Sequence, residues 1–169
     1  MASAETHYSP PLPDFDPAPR ILIVVAPYYK DIADALVAGA KRVIEGAGGF
    51  WEIAEVPGAL EIPTAIAIAQ RQAEFDGHVA LGCVIRGETT HYDTVCNDSS
   101  RGLMQLGLSG ACIGNGILTV ENRDQAVVRA DPEGQDKGGG AAAAALHLIA
   151  LQRRFRRSGQ PVGFVRTAE

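Results

Sequence analysis

His91 closes the run Gly82-Cys83-Val84-Ile85-Arg86-Gly87-Glu88-Thr89-Thr90-His91. The run passes from apolar to polar, as where a strand hands over to a helix. The free N–H groups of a helix N-terminus attract a single anion, and the Thr89 and Thr90 hydroxyls add donors. Either threonine can equally cap the helix and bind nothing. The positive end of that helix disfavours a second positive charge, which favours a neutral imidazole on His91. Beside an anion site such an imidazole can act as general base and then general acid. It can also be an ordinary solvent-facing histidine. Residues 82–89 share the G-x-x-x-x-G-x-T spacing of a nucleotide P-loop, but Glu88 stands where that loop needs a lysine. A carboxylate there would repel the phosphates of a nucleotide.

Other candidates lie at similar junctions. In Val56-Pro57-Gly58-Ala59-Leu60-Glu61-Ile62-Pro63, the Pro-Gly pair makes a sharp turn. Ala59, Leu60 and Glu61 then open a helix with free N–H groups and one carboxylate. That set can hold a polyol, or can simply be a helix start with Glu61 favouring the dipole. Tyr28 and Tyr29 follow an apolar run, where an aromatic can stack on a flat heterocycle or pack as a loop side chain. Arg129 and Lys137 are candidate cations, with solvated surface charge as the plainer reading.

The elements that must position these residues alternate. Residues 21–26 and 78–85 are continuous apolar runs, the pattern of buried parallel strands. Residues 50–56 and 111–119 complete a set of strands. Helices are predicted from Asp31, read as a cap, to Gly48 and Gly49; over 62–74; after the RGETT loop; over 121–131; and over 141–157, after a Gly/Asp-rich loop that contains Lys137. Strand–helix alternation of this kind implies a single α/β domain, a three-layer α/β/α sandwich on a four-stranded parallel sheet. Ligands bind such sheets beyond the carboxyl ends of the strands, which points to residues 27–30, 56–61, 84–91 and 115–122. Residues 1–19, rich in proline, read as a flexible tail and 158–169 as a second tail, around a domain at 20–157.

The chain has 169 residues, 46% hydrophobic and 21% charged, with a formal net charge of −5. That composition excludes a disordered or collagen-like chain, and the acidic balance argues against a nucleic-acid binder. No apolar run is long enough to span a bilayer. No basic and apolar leader opens the chain, so a cytoplasmic protein is expected. Cys83, Cys96 and Cys112 form no CxxC pair and read as reduced packing residues. No histidine lies near other metal-ligand types at useful spacing, so no metal is expected.

Taken together, the 56–63 and 82–91 motifs, Gly116-Ile117-Leu118-Thr119-Val120-Glu121-Asn122 and Asp136-Lys137-Gly138 resemble the 6,7-dimethyl-8-ribityllumazine synthase family, in order and spacing, from about Ile21 to Phe155. The resemblance implies a flavodoxin-like strand order and a cofactor-free condensation in riboflavin biosynthesis. The amine of 5-amino-6-(D-ribitylamino)uracil attacks the ketone of 3,4-dihydroxy-2-butanone 4-phosphate, and phosphate and water leave. By resemblance, Tyr28 stacks on the pyrimidine, Ala59, Leu60 and Glu61 meet the ribityl side, and Val84 and Ile85 meet the ring edge. Gly87, Glu88 and Thr89 hold the phosphate with Arg129, His91 shuttles protons, and Lys137 sits at the rim. Asn115, Arg129 and Lys137 are expected from a neighbouring subunit of a homo-oligomer, at least a pentamer. Many family members carry an aromatic where this chain has Asn115. Other readings remain: a structural shell or scaffold, which could coexist with catalysis; the same fold binding a flavin without turnover; and a flavodoxin-type carrier. The latter expects a Ser/Thr/Gly-rich loop after the first strand, where this chain has Ala26-Pro27-Tyr28-Tyr29-Lys30-Asp31.

Overall fold

Strand β1 (Arg20–Val25) is apolar after its first residue and buried over the rest. It can be so only at the centre of a sheet covered on both faces. The computed structural model, which describes residues 8–157, places it there. β1 pairs in parallel with β2 (Phe50–Glu55) and with β3 (Gly77–Ile85), and β3 pairs in parallel with β4 (Ile113–Val120). The order β2-β1-β3-β4 matches the flavodoxin-like expectation. β2 and β4 are the edges, and β2 keeps Phe50 and Ile53 exposed.

Side chains of β3 alternate between two cores. Val79, Leu81 and Cys83 join the first, with α1 (Lys30–Gly46), α4 (Arg123–Ala130) and α5 (Lys137–Arg157). Ala80 joins the second, with α2 (Glu61–Gln72) and α3 (His91–Leu108). α1 turns an apolar stripe to the core: Ile32, Leu36, Gly39, Ala40 and Ile44 are buried. Emptying such a site, as in Leu36→Ala, typically costs about 2–5 kcal/mol.

Three expectations are corrected. Asp31 does not cap α1. Tyr29 occupies the cap position without a side-chain bond, and the Asp31 carboxylate, inside the first turn, pairs with Arg123 of α4. Helix α5 begins at Lys137 rather than at 141. Asp136, with a positive φ of 43°, accepts the Gly139 N–H at 3.0 Å on its side chain and the Gly140 N–H at 2.9 Å on its carbonyl. Its second carboxylate oxygen meets Arg42 of α1 at 3.0 Å. The glycines that look like a loop are a packing surface, since a Cβ on Gly138 would collide with the Leu36 carbonyl of α1. β4 begins at Ile113, not at 111.

Residues 8–19 carry no helix or strand, yet the end of this segment is anchored. Phe15 packs on the first core, Arg157 donates to the Asp16 carbonyl at 2.6 Å, and Arg153 donates to that of Pro17. Residues 1–7 of the expected N-terminal tail and the expected C-terminal tail at 158–169 lie outside the described residues. No helix among those described is long and apolar enough to cross a membrane.

At the amino end of the sheet, His78 is buried to 3% exposure. Neither ring nitrogen finds a partner among the described residues, and Phe75 meets the ring edge-on at 6.2 Å. Burial pushes the imidazole pKa down to about 4, because charging it would cost desolvation with no compensating bond.

Candidate active site

The parallel strands end together, and the chain leaves the sheet at one rim. There Ala26 N–H bonds the Leu81 carbonyl and Val56 N–H bonds the Val25 carbonyl, each at 2.9 Å. The segments that follow enclose a cleft of about 390 Å³. Tyr28, Ala59, Leu60, Glu61, Val84, Ile85, Gly87, Thr89 and His91 all line it. Of the residues predicted for this region only Glu88 is not in the wall; it lies between Gly87 and Thr89 and is exposed.

Each wall has a local cause. Tyr28 is 74% exposed and is braced edge-on by Tyr29, ring centres 5.1 Å apart. Ala59 is buried, and its small side chain leaves room above the second core. A Cβ on Gly58 would come within 2.9 Å of the Glu61 carboxylate, so glycine lets that carboxylate fold back over the turn. Pro63 lies in the first turn of α2, where a missing N–H costs no helical bond.

The loop before α3 is the polar wall. The backbone N–H groups of Gly87, Glu88 and Thr89 donate to no group among the described residues. Three unpaired donors at the positive end of an 18-residue helix suit an anion. Thr90 is at the cap position without a side-chain cap bond, whereas the Thr89 hydroxyl accepts from the His91 N–H at 3.4 Å. The Cys83 thiol lines the same cleft. Its burial, first, raises its pKa to about 11, so at neutral pH it is an apolar wall rather than a nucleophile.

The cation candidates lie elsewhere. Asn115, Arg129 and Lys137 line a separate pocket of about 440 Å³, on the β4 edge under α4 and α5. Arg129, in the last turn of α4, donates to the Gln125 carbonyl at 3.0 Å. Lys137 is the first residue of α5 and is exposed. The Asn115 side-chain oxygen accepts the Ile117 N–H at 3.0 Å, leaving its amide donors for other partners. Within one chain these three residues are not brought to the cleft.

Sequence reasoning missed Tyr92 and Val95 as cleft residues. Both are half-buried residues of α3, and only the packing shows that their face of the helix borders the opening. It also gave Arg86 no role. Among the described residues no three His, Cys, Asp or Glu side chains gather as a metal site.

Comparison with known proteins identifies the family. The model of the family described as 6,7-dimethyl-8-ribityllumazine synthase matches residues 18–153. A 6,7-dimethyl-8-ribityllumazine synthase of Jannaschia sp. (strain CCS1) is 57% identical over 153 residues, covering 90% of this chain and 86% of the relative. One from Novosphingobium aromaticivorans is 56% identical over 136 residues, covering 80% and 98%. One from Agrobacterium fabrum is 55% identical over 143 residues, covering 81% and 97%. Matches that span the whole sheet and every segment of the cleft leave one assignment: the chain belongs to the 6,7-dimethyl-8-ribityllumazine synthase family.

Proposed function

We propose that the cleft beyond β1, β2 and β3 is the catalytic half of this enzyme, and that the β4-edge pocket of a neighbouring copy completes it. The reaction itself is that of the family: 5-amino-6-(D-ribitylamino)uracil condenses with 3,4-dihydroxy-2-butanone 4-phosphate in the penultimate step of riboflavin biosynthesis. The amine attacks the ketone carbon, and an imine forms as the ketone oxygen leaves as water. Phosphate departs, and the ring closes with loss of a second water.

The residues divide this work. Tyr28 stacks on the pyrimidine over the apolar floor of Val84 and Ile85, whose backbone meets the ring edge. Ala59 and Leu60 bound the ribityl chain, and the Glu61 carboxylate accepts from its hydroxyls. The N–H groups of Gly87, Glu88 and Thr89, with the Thr89 hydroxyl, hold the phosphate. His91 relays the protons, a role typically worth about 10²–10⁴ in rate. Arg129 of the neighbouring copy adds a charge-assisted bond to the phosphate, with Lys137 at the rim and Asn115 opposite the ring. A monomer would then lack its phosphate cation, which favours a homo-oligomer; the figure of at least five copies comes from the family resemblance alone. Both substrates are small and water-soluble, and the cytoplasm is the proposed place of work.

The single observation that carries this reading is the gathering of Tyr28, Glu61, the unpaired loop N–H groups and His91 around one cleft, while Arg129 and Lys137 line another. The test is direct. Purified protein mixed with both substrates, without metal or nucleotide, is expected to produce lumazine fluorescence above the uncatalysed background. No product, with riboflavin still binding tightly, would replace the catalytic reading with that of a flavin-binding module.

A further inference from the structure

The loop that carries the unpaired donors is not held by burial. Every residue from Arg86 to His91 is exposed, and a Cβ built on Gly87 meets nothing within 4 Å. A loop of that kind holds its N–H groups in one geometry only if something ties its ends. One guanidinium does so. Arg86 continues the ladder beyond β3, its N–H bonded to the Val120 carbonyl at 3.0 Å. Its Nε donates to the Glu121 carboxylate at 2.8 Å, beyond the end of β4. Its Nη1 reaches the Asp93 carboxylate at 3.4 Å, in the first turn of α3. The guanidinium also lies 4.1 Å from the centre of the Tyr92 ring, which lines the cleft.

Glu121 is itself held. Its N–H donates to the Gln125 side chain at 2.9 Å, and the Gln125 N–H donates to Asn122, the cap of α4, at 3.0 Å. The chain of contacts therefore runs from the start of α4 through Glu121 and Arg86 to the first turn of α3. It straddles the loop from Gly87 to Thr90. Two carboxylates already engage the Arg86 charge, so the side chain acts as a tie rather than as a spare cation for an anionic ligand.

We propose that Arg86 is a positioning residue that fixes the Gly87–Thr89 donors and the first turn of α3 for the phosphorylated ketone, acting through Glu121, Asp93 and Tyr92 without touching substrate. This rests on the assignment of that loop to the phosphate. Lysine cannot replace it, because a compact ammonium lacks the planar fork that spans two carboxylates while lying on a ring.

The test compares full-length variants in steady-state kinetics with each substrate varied in turn. Arg86→Gln and Arg86→Lys are expected to raise KM for the phosphorylated ketone by about tenfold or more, with KM for the pyrimidine within about twofold. Melting temperature should change little, since exposed ion pairs contribute little to global stability. The double variant Asp93→Asn, Glu121→Gln keeps the arginine but frees it, and should reproduce the ketone defect. If that variant instead keeps or lowers the ketone KM while Arg86→Gln raises it, Arg86 binds phosphate itself and the positioning role is overturned. Thr89→Ala is the reference. A raised ketone KM in Thr89→Ala, with all Arg86 and carboxylate variants normal, overturns the proposal and leaves the phosphate loop standing. No change in any variant, Thr89→Ala included, removes the phosphate assignment and the proposal together.

Discussion

The cleft beyond β1, β2 and β3 and the pocket on the β4 edge carry opposite chemistry. The first is lined by aromatic rings, a carboxylate and an imidazole, with no arginine or lysine in its wall. The second is lined by a guanidinium, an ammonium and an amide, with no aromatic, carboxylate or imidazole. Condensation with phosphate as the leaving group calls on both sets. On the proposed function neither region is a whole site, and the difference explains why one chain carries two openings of similar volume. It also explains why Arg86, close to the cleft, does not supply the missing cation: Glu121 and Asp93 already engage it.

The largest expected effect strikes both regions at once, because it acts on the sheet they share. His78 takes up a proton near its ordinary pKa of about 6.5 when unfolded, but only near 4 when folded. The folded state thus refuses a proton that the unfolded state accepts. Its contribution is complete above pH 6.5, falls as pH drops from 6.5 towards 4, and is lost below that. The loss is about 3 kcal/mol by linkage. His78→Phe should remove this component of acid destabilisation without lowering stability at pH 7. Denaturant melts of both proteins across that pH range check it, and parallel curves would clear His78 of the role.

Substitutions in single regions should separate the two halves. His91→Ala is expected to lower turnover on the order of 10²-fold or less, since the substrate amine is already reactive; an unchanged rate would remove His91 from the mechanism. Arg129→Ala should raise KM for the phosphorylated ketone by about tenfold and hardly change that for the pyrimidine, the loss of a charge-assisted bond. Equal effects on both substrates would sink its phosphate role. Mixing the two variants sharpens the comparison further. If the halves come from different copies, a random equal mixture assembles about a quarter of its sites with both intact, and turnover should recover to about that level. No recovery would mean that each chain uses its own two regions. The smallest effect is at the seam. Asn115→Phe should tighten binding of a pyrimidine analogue by a few-fold, about the worth of one aromatic pair, and calorimetric titration reads it.

How much of this was legible in the residues varies by element. β1 and β3 were plain, because strands buried on both faces must be continuously apolar. The start of α5 was not. Gly138-Gly139-Gly140 has the composition of a loop, and only the approach of α1, with Asp136 bonded to Arg42 and to the Gly139 N–H, makes it a helix. Asp31 looked like a cap from its position, but Arg123, far along the chain, claimed its carboxylate. The cleft residues were legible because the ends of parallel strands must converge on one rim. Arg86 was visible in its motif but silent in role, since Glu121 and Asp93 reach it only after β4 and α3 are in place.

Residue type and order fix the alternation, the buried strands and the identity of the groups at each strand end. Those depend on local periodicity and on residue type, which are printed in the chain. Tertiary structure alone decided which of these groups meet. It put Tyr28, Glu61 and His91 around one cleft, left Asn115, Arg129 and Lys137 on the far edge of the sheet, and set one arginine across the loop between them. Such contacts arise from packing between segments distant in the chain, and no local pattern of residues records them.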